Sequence, residues 1–324
     1  MGRSGEHANG SGVGHHALIT SSLCQTTTRP DALGRSSPAV GRIIGVELIE
    51  ESRSSHRSRT VTVGFVGSVV RRMGNWMPIT ATVALLGECG VDESSARTAV
   101  FRLKKRGWLT PETRGRVRGY ALTSVALDAL ASGDAIIWHP RPAASLDDGW
   151  CIVSFSIPEA VRARRHQLRT HLAALGFGNA DSALWIAPAR ATDSALQAIA
   201  ELELTEHCIV FVGPYRGGQD LVSLVGRAWD LDGIAQRYRE FILLQRAQLD
   251  RLASSPAVDG HEAFAAYLNA IEHWRKLPFR DPGLPTSLLG DDWPAIEAGK
   301  LFETIVAQWE GRALAHAAGY WPKP

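Results

Sequence analysis

The apolar positions between Glu93 and Lys105 repeat at helical spacing: Ala96, Ala99, Val100 and Leu103 fall on one face and predict a side that packs on a core. Around the other side lie Ser94, Ser95, Arg97, Thr98, Phe101, Arg102 and Lys105. Gly107 ends this helix, Trp108 and Leu109 begin a strand, and Arg114, Arg116 and Arg118 decorate a turn around Gly115 before residues 120–122 return as a second strand. Upstream, Val63, Val66, Val69 and Val70 predict a helix over residues 61–73; a second helix starts at Pro78 or Ile79 and runs to about Cys89 after the Gly74-Asn75 break. Three helices followed by a helix-adjacent basic hairpin describe a winged helix-turn-helix, a reader of duplex DNA.

Further along, the period changes. Residues 150–157 alternate, with Cys151, Val153, Phe155 and Ile157 on one side, which predicts a strand; Pro158 then opens a helix bearing Leu168, Leu172 and Leu175, closed by Gly176 and Gly178. A strand at 183–187, a helix at 193–202 and a strand at 208–212 follow, so strands and helices interleave as in a ferredoxin-like α+β sandwich. From Leu221 onward the pattern is helical, broken by LPFRDPGLPTSLLGDDWP at 277–294, whose prolines exclude regular structure. A short helix at 124–132 and the proline-rich HPRPAASLDDG at 139–149 separate the first two patterns.

The fold class expected is therefore multidomain α+β: a leader at 1–57, a winged helix-turn-helix at 58–132, a linker at 133–149, a ferredoxin-like domain at 150–214 and a mainly helical C-terminal domain for effector binding and dimerisation at 215–324. A chain of 324 residues is long enough for two or three cores. The leader has no Phe, Trp or Tyr and is rich in Ser and Gly, a composition that predicts disorder; residues 43–49 can form a short local element, and the His15-His16 pair lacks a third metal ligand at useful spacing.

Composition changes this picture mainly through charge. The net charge is only +2, yet residues 57–119 hold twelve Lys or Arg against four acids, a surplus of eight that leaves the remainder at −6. A positive excess confined to the helix-and-hairpin segment favours a polyanionic partner there; a solvated basic face is the alternative. Cys24, Cys89, Cys151 and Cys208 are far apart and make no metal-spaced pair, so reduced thiols in a cytoplasmic protein are expected, with no metal site. No apolar run approaches the roughly 20 residues needed to span a bilayer, and no membrane partner is expected.

Several separated motifs carry a resemblance. ARTAVFRLKKRGWL in the first pattern, GWCIVSFSIPE, LGFG and LWIAP in the second, and RAWDL, RKLPFRDPGLP and DDWPAIEAGKLF in the third occur in the order found in the PaaX-like transcriptional regulators, the family of the phenylacetic-acid-degradation repressor. The resemblance covers residues 61–309. It implies a homodimeric repressor of a catabolic operon that binds a palindromic operator in double-stranded DNA, needs no cofactor, and is released by an acyl-coenzyme A thioester such as phenylacetyl-CoA. Phe101 departs from the small polar residue the family pattern has there; an aromatic at that position touches a thymine methyl or packs on the wing. The middle segment also resembles the small fold of a CRISPR-associated nuclease whose metal-binding aspartate ends the first strand. Here that neighbourhood is Ser154, Phe155 and Ser156, and a hydroxyl does not replace a carboxylate in holding a divalent metal.

For DNA contact, Arg97, Thr98 and Arg102 are the base-edge candidates, with phosphate contact as their alternative role. Ser94 and Ser95 suit phosphate hydrogen bonding near a helix N-terminus, or Ser94 caps the helix. Phe101 and Lys105 share that face, and Arg114, Arg116 and Arg118 reach phosphate or the minor groove, although strand alternation keeps all three from doing so together. For the effector, Arg275, Lys276, Arg280 and Trp293 surround the 277–294 loop and offer charge and aromatic surface; Asp281 pairing with an arginine is the structural alternative. The basic cluster Arg162, Arg164, Arg165, His166 and Arg169 is read as a solvated or dimer-contacting face, or as a receiver of coenzyme A phosphates. Arg227, Trp229 and Asp230 are read as packing and helix-entry residues, and the glycine-rich 213–221 segment lacks the ending of a phosphate loop. No nucleophile-and-base constellation is recognisable, so no catalytic residues are assigned and a non-enzyme is expected. Two rivals remain: an acyl-CoA-processing enzyme using Glu303, His273 or Asp281, and a constitutive DNA binder carrying a protein-interaction module.

Overall fold

The computed structural model describes residues 53–138, 143–254 and 258–322; expectations for the leader up to residue 52 and for residues 139–142 of the linker lie outside them. Mixed α+β architecture is observed, rich in helix, with two small antiparallel sheets. Helix α1 (Arg53–Phe65) begins inside the segment read as leader and passes into a π-helical turn at Val66–Val70. Its buried hydroxyls are satisfied within the helix: Thr62 donates to the Ser58 carbonyl at 2.7 Å and Ser68 to the Gly64 carbonyl at 2.8 Å.

A strand the sequence pattern does not reveal, β1 (Trp76–Pro78), precedes α2 (Ile79–Glu88). After α3 (Glu93–Lys105) come β2 (Leu109–Arg114) and β3 (Val117–Leu122), and β1 pairs with β3 to make a sheet of order β1-β3-β2. Only three residues long and without alternation, β1 gives no periodic signal, but it fixes the hairpin to the helices. Gly119 is required where it does so: a Cβ there would collide with the Met77 carbonyl oxygen and the Trp76 ring. Helix α4 (Ser124–Ile137), capped by Thr123, runs five residues beyond its expected end at 132 and passes through the buried Gly133.

The second sheet has order β5-β6-β4-β7, from β4 (Trp150–Phe155), β5 (Gly178–Asp181), β6 (Leu184–Pro188) and β7 (Cys208–Gly213), all antiparallel. Cys151, Val153 and Phe155 point to one face as the alternation predicts, onto Leu168 and Leu172 of α5 (Arg162–Ala174) and Ala195 and Ile199 of α6 (Thr192–Glu201). Pro158 does not open α5 directly; a 3₁₀ turn at Glu159–Val161 intervenes. Gly178, read as a helix terminator, instead starts β5. A side chain there would strike the Trp229 ring, and Trp229 also donates to the Gly176 carbonyl at 3.1 Å. On the opposite face Trp150 and Ile186 meet Val225 and Trp229 around α7 (Leu221–Ala228) together with Leu284 and Leu288 of the proline-rich loop. That loop has one 3₁₀ turn, Thr286–Leu288.

Helices α8 (Leu231–Ala253), α9 (Gly260–Trp274) and α10 (Ala295–Ala318) complete the chain. Their core is continuous with that of the N-terminal elements: Phe65, Leu85, Val100 and Leu103 belong to the same buried cluster as Phe264, Tyr267, Trp274, Phe302 and Trp309. Polar ties reinforce the joint. The buried Arg275 guanidinium donates to the Thr60 carbonyl of α1 and to Glu272, both at 3.1 Å; Trp274 donates to the Ile137 carbonyl at the end of α4 at 2.8 Å; Trp321 donates to the Trp76 carbonyl at 3.2 Å. No helix of the described residues is long and apolar enough to cross a membrane.

Candidate nucleic-acid interface

Helix α3 presents its two faces as its sequence demands. Ala96, Ala99, Val100 and Leu103 are buried, while Ser94, Arg97, Thr98, Phe101, Lys104 and Lys105 are exposed and Ser95 and Arg102 half-buried. Asp92, not Ser94, is the N-cap: its carboxylate accepts from the Ser95 N–H at 2.9 Å and from the Ser94 hydroxyl at 2.7 Å. These bonds, the Ser95 N–H first, hold the Asp92 carboxyl down at about 2. Ser94 is thus a second-tier partner of the cap, and a carboxylate sits where an incoming phosphate would compete for the helix N-terminus. Contact further along the helix is favoured instead. There Arg97 makes a helix-surface pair with Glu93 at 2.8 Å, an exposed i,i+4 contact that yields readily to a stronger anion. Phe101 is 62% exposed.

The hairpin is tight. Arg114 pairs with Val117 across a two-residue loop whose Gly115 has φ +59°, a left-handed conformation that suits glycine. Arg114 is occupied locally, bonding Glu112 at 2.6 Å and lying 4.9 Å above the Trp76 ring. Arg116 and Arg118 are exposed, and neither has an ion-pair partner among the described residues. Of the three arginines read from the turn, one is therefore a structural anchor in this state and two are open to an anion. Trp76 was not singled out by pattern; it is buried, donates to the Glu112 carbonyl at 3.2 Å and supports Arg114. The WMP segment offers no spacing signal from which that role is readable.

The four residues read as effector contacts are dispersed. Arg275 is buried in its pair with Glu272, and Lys276 also bonds Glu272. Burial raises the Glu272 carboxyl, but Arg275 and then Lys276 outweigh it and hold the group below its ordinary range. Arg280 lies on the loop surface, with its pKa lowered by burial of the guanidinium end and then by Arg237. Trp293 is half-buried, edge-on to Tyr238 at 6.4 Å. Asp281 accepts from the Tyr238 hydroxyl at 2.9 Å and from the Gly283 N–H at 2.8 Å, and Arg190 donates to the Pro282 and Gly283 carbonyls at 3.1 and 2.6 Å. The loop is pinned by these bonds between the central sheet and α8.

Elsewhere, Arg162, Arg165, His166 and Arg169 line a polar hollow of about 480 Å³ with Ser156 and Ser182 at the end of β4. Glu159 pairs with Arg165 at 2.6 Å. Guanidinium groups around that strand end repel a divalent cation, in keeping with the missing aspartate. Asp230 caps α8 through the Gly233 N–H at 3.0 Å, and Arg227 bonds Gln219 at 2.6 Å. Among the possible acid-base residues, His273 lines an interhelical cavity, Asp281 is engaged by Tyr238, and Glu303 is exposed on α10.

Comparison with known proteins places this architecture among transcriptional regulators. Three family models match consecutive stretches: PaaX-like protein over residues 56–126, PaaX protein central Cas2-like domain over 143–225, and PaaX-like protein C-terminal domain over 229–319. The transcriptional repressor PaaX of Escherichia coli strain K12 is 25% identical over 254 residues, covering 77% of this chain and 79% of the relative. An uncharacterized protein of Mycobacterium tuberculosis, Rv0674, has a similar solved fold, with TM-score 0.51 and 21% identity over 80% of this chain and 97% of its own. The chain belongs to the PaaX-like family of transcriptional regulators.

Proposed function

We propose that this chain is a cytoplasmic, homodimeric transcriptional repressor of a catabolic operon, released from a palindromic operator by an acyl-CoA effector such as phenylacetyl-CoA. In this reading α2, the turn and α3 with the β2–β3 hairpin act as a winged helix-turn-helix at 58–132, followed by a linker at 133–149, a ferredoxin-like domain at 150–214 and a helical domain at 215–324. The observation that carries it is the joint exposure of Arg97, Thr98, Phe101 and Lys105 on one face of α3 beside Arg116 and Arg118 on the hairpin. A helix face with donors and an aromatic suits the major groove, and an adjacent basic hairpin suits the backbone or minor groove. The sheet order β5-β6-β4-β7 with α5 and α6 on one face supports the ferredoxin-like reading. The E. coli relative named a transcriptional repressor supports the direction of regulation.

The test is binding of the full chain to DNA from its own promoter region at fixed salt, with and without a panel of acyl-CoAs. Sequence-specific binding relieved by one thioester is the expected result. Specific binding insensitive to every thioester would retain the DNA reader and discard the effector, and affinity equal to that for random DNA would remove the central reading.

A further inference from the structure

The basic cluster of the central sheet unit lies outside the α3 face. Four of the five arginines of residues 150–214, a stretch without lysine and with six acids, fall within Arg162–Arg169. They have no acidic neighbour on α5, because that helix contains no Asp or Glu. Arg162, Arg165, His166 and Arg169 follow one another at steps of three and four residues, the spacing of a single helix face, and all four line the hollow of about 480 Å³ at the end of β4. A solvated helix face intersperses acids at that spacing, whereas like charges there repel. The first turns of a helix are also where cations are least favoured. Such an arrangement is destabilising by itself and is relieved when an anion joins it.

The carboxylates nearby do not balance these cations. Glu159 bonds Arg165 at 2.6 Å and reaches Arg162 at 3.7 Å, and Arg164, outside the lining, pairs with Glu203 at 2.6 Å. Asp181, next to Ser182 on the rim, is engaged by the Ser182 N–H at 2.6 Å. Arg169 is exposed and has no ion-pair partner among the described residues, so three guanidinium groups meet one paired carboxylate. The hydroxyls of Ser156 and Ser182 add neutral donors at the same wall. An excess of positive charge with several convergent donors suits a multiply charged group with three or four oxygens better than a single carboxylate, and guanidinium forks match phosphate oxygens in pairs. We propose that this hollow is a phosphate-binding site separate from α3, in which Arg165 and Arg169 hold the phosphate oxygens and His166, Ser156 and Ser182 supply further donors. The phosphate belongs either to a free phosphate ester or to the backbone of duplex DNA; the recognising chemistry is the same.

The test uses the full chain, with inorganic pyrophosphate as probe in calorimetry at constant ionic strength, and with duplex DNA from its own promoter region titrated at several salt concentrations. Two variants are compared: Arg165→Gln with Arg169→Gln, and Arg216→Gln with Arg251→Gln, which removes the same charge from exposed positions elsewhere. Expected is roughly tenfold weaker pyrophosphate binding in the first variant and little change in the second. If the natural occupant is a DNA phosphate, the first variant also lowers the salt slope for the duplex by about two units, one for each lost contact. If it is a free phosphate ester, the slope is unchanged while pyrophosphate binding is lost. Equal weakening in both variants overturns the site, as does a wild type that binds no pyrophosphate together with an unchanged DNA slope in the first variant. Loss of self-association in sedimentation, with pyrophosphate binding kept, also overturns it and marks the face as a contact between copies. Arg169→Gln alone keeps the Glu159–Arg165 pair and serves where the double variant does not fold. Because the pyrophosphate arm needs no DNA, its failure is distinguishable from failure of the α3 reading.

Discussion

The hairpin unit at residues 76–122 and the four-stranded sheet at residues 150–213 are made of similar parts, short antiparallel strands with helices packed on one face, but they are closed differently. The central sheet covers its inner face with its own α5 and α6, a cluster local in sequence, and part of the other with α7 and with Leu284 and Leu288 of the proline-rich loop. The hairpin unit shares a single buried cluster with α8, α9 and α10, helices more than 100 residues away. A unit whose core is completed by distant helices is packed so that a change in those helices reaches it, which suits the proposed effector-responsive DNA reader.

The largest expected effect tests this shared core. Trp274 is 2% exposed, stacks on Phe302 at 4.8 Å and bonds the end of α4, so Trp274→Ala is expected to destabilise the N-terminal and C-terminal helices together by about 3–5 kcal/mol. Hydrogen exchange followed region by region checks it. Loss of protection confined to α9 and α10, with α1 to α4 unaffected, would break the comparison.

Substitutions on the reading face are expected to leave that core intact and act on DNA alone. Arg97→Ala with Arg102→Ala should weaken operator binding by roughly 1–3 kcal/mol for each base-reading side chain and relax sequence preference, whereas Arg116→Ala should lower the salt slope by about one unit with sequence preference kept. Titrations at several salt concentrations separate the two. Unchanged affinity in the double variant would remove α3 as the reading element.

The smallest effect concerns the cap of α3. Because Asp92 is depressed from its ordinary value of 3.8 to about 2 by the Ser95 N–H and the neighbouring hydroxyls, its contribution to stability is fully present above 3.8 and is lost as pH falls through about 2. Thermal melts of wild type and Asp92→Ala should differ by a constant amount above about pH 4 and converge toward pH 2. A gap independent of pH over that range would show that the carboxylate charge is not what caps the helix.

Much of this organisation was legible from residue order. The 3.6-residue period of Ala96, Ala99, Val100 and Leu103 gave α3 and its exposed side, the alternation from Cys151 to Phe155 gave the inner face of the central sheet, and the family motifs gave the regulator class. What escaped was whatever depends on a neighbour distant in sequence. Strand β1 is defined by pairing with β3, Gly178 is a strand residue because Trp229 lies across it, and α4 continues through Gly133 within a packed surface.

The same division holds for the candidate sites. Sequence periodicity fixed which residues of α3 face outward, because a helix turns by a constant angle per residue whatever surrounds it. Tertiary structure decided which charges remain available: Arg114 is held over Trp76 while Arg116 and Arg118 have no ion-pair partner among the described residues, and Arg275 and Lys276 are both committed to Glu272. Sequence alone determined the family, the two faces of α3 and the alternation of the sheet; only the fold joined the first and last segments into one core. Local periodicity is a property of the chain, whereas the partner of a buried ring or guanidinium is set by long-range packing.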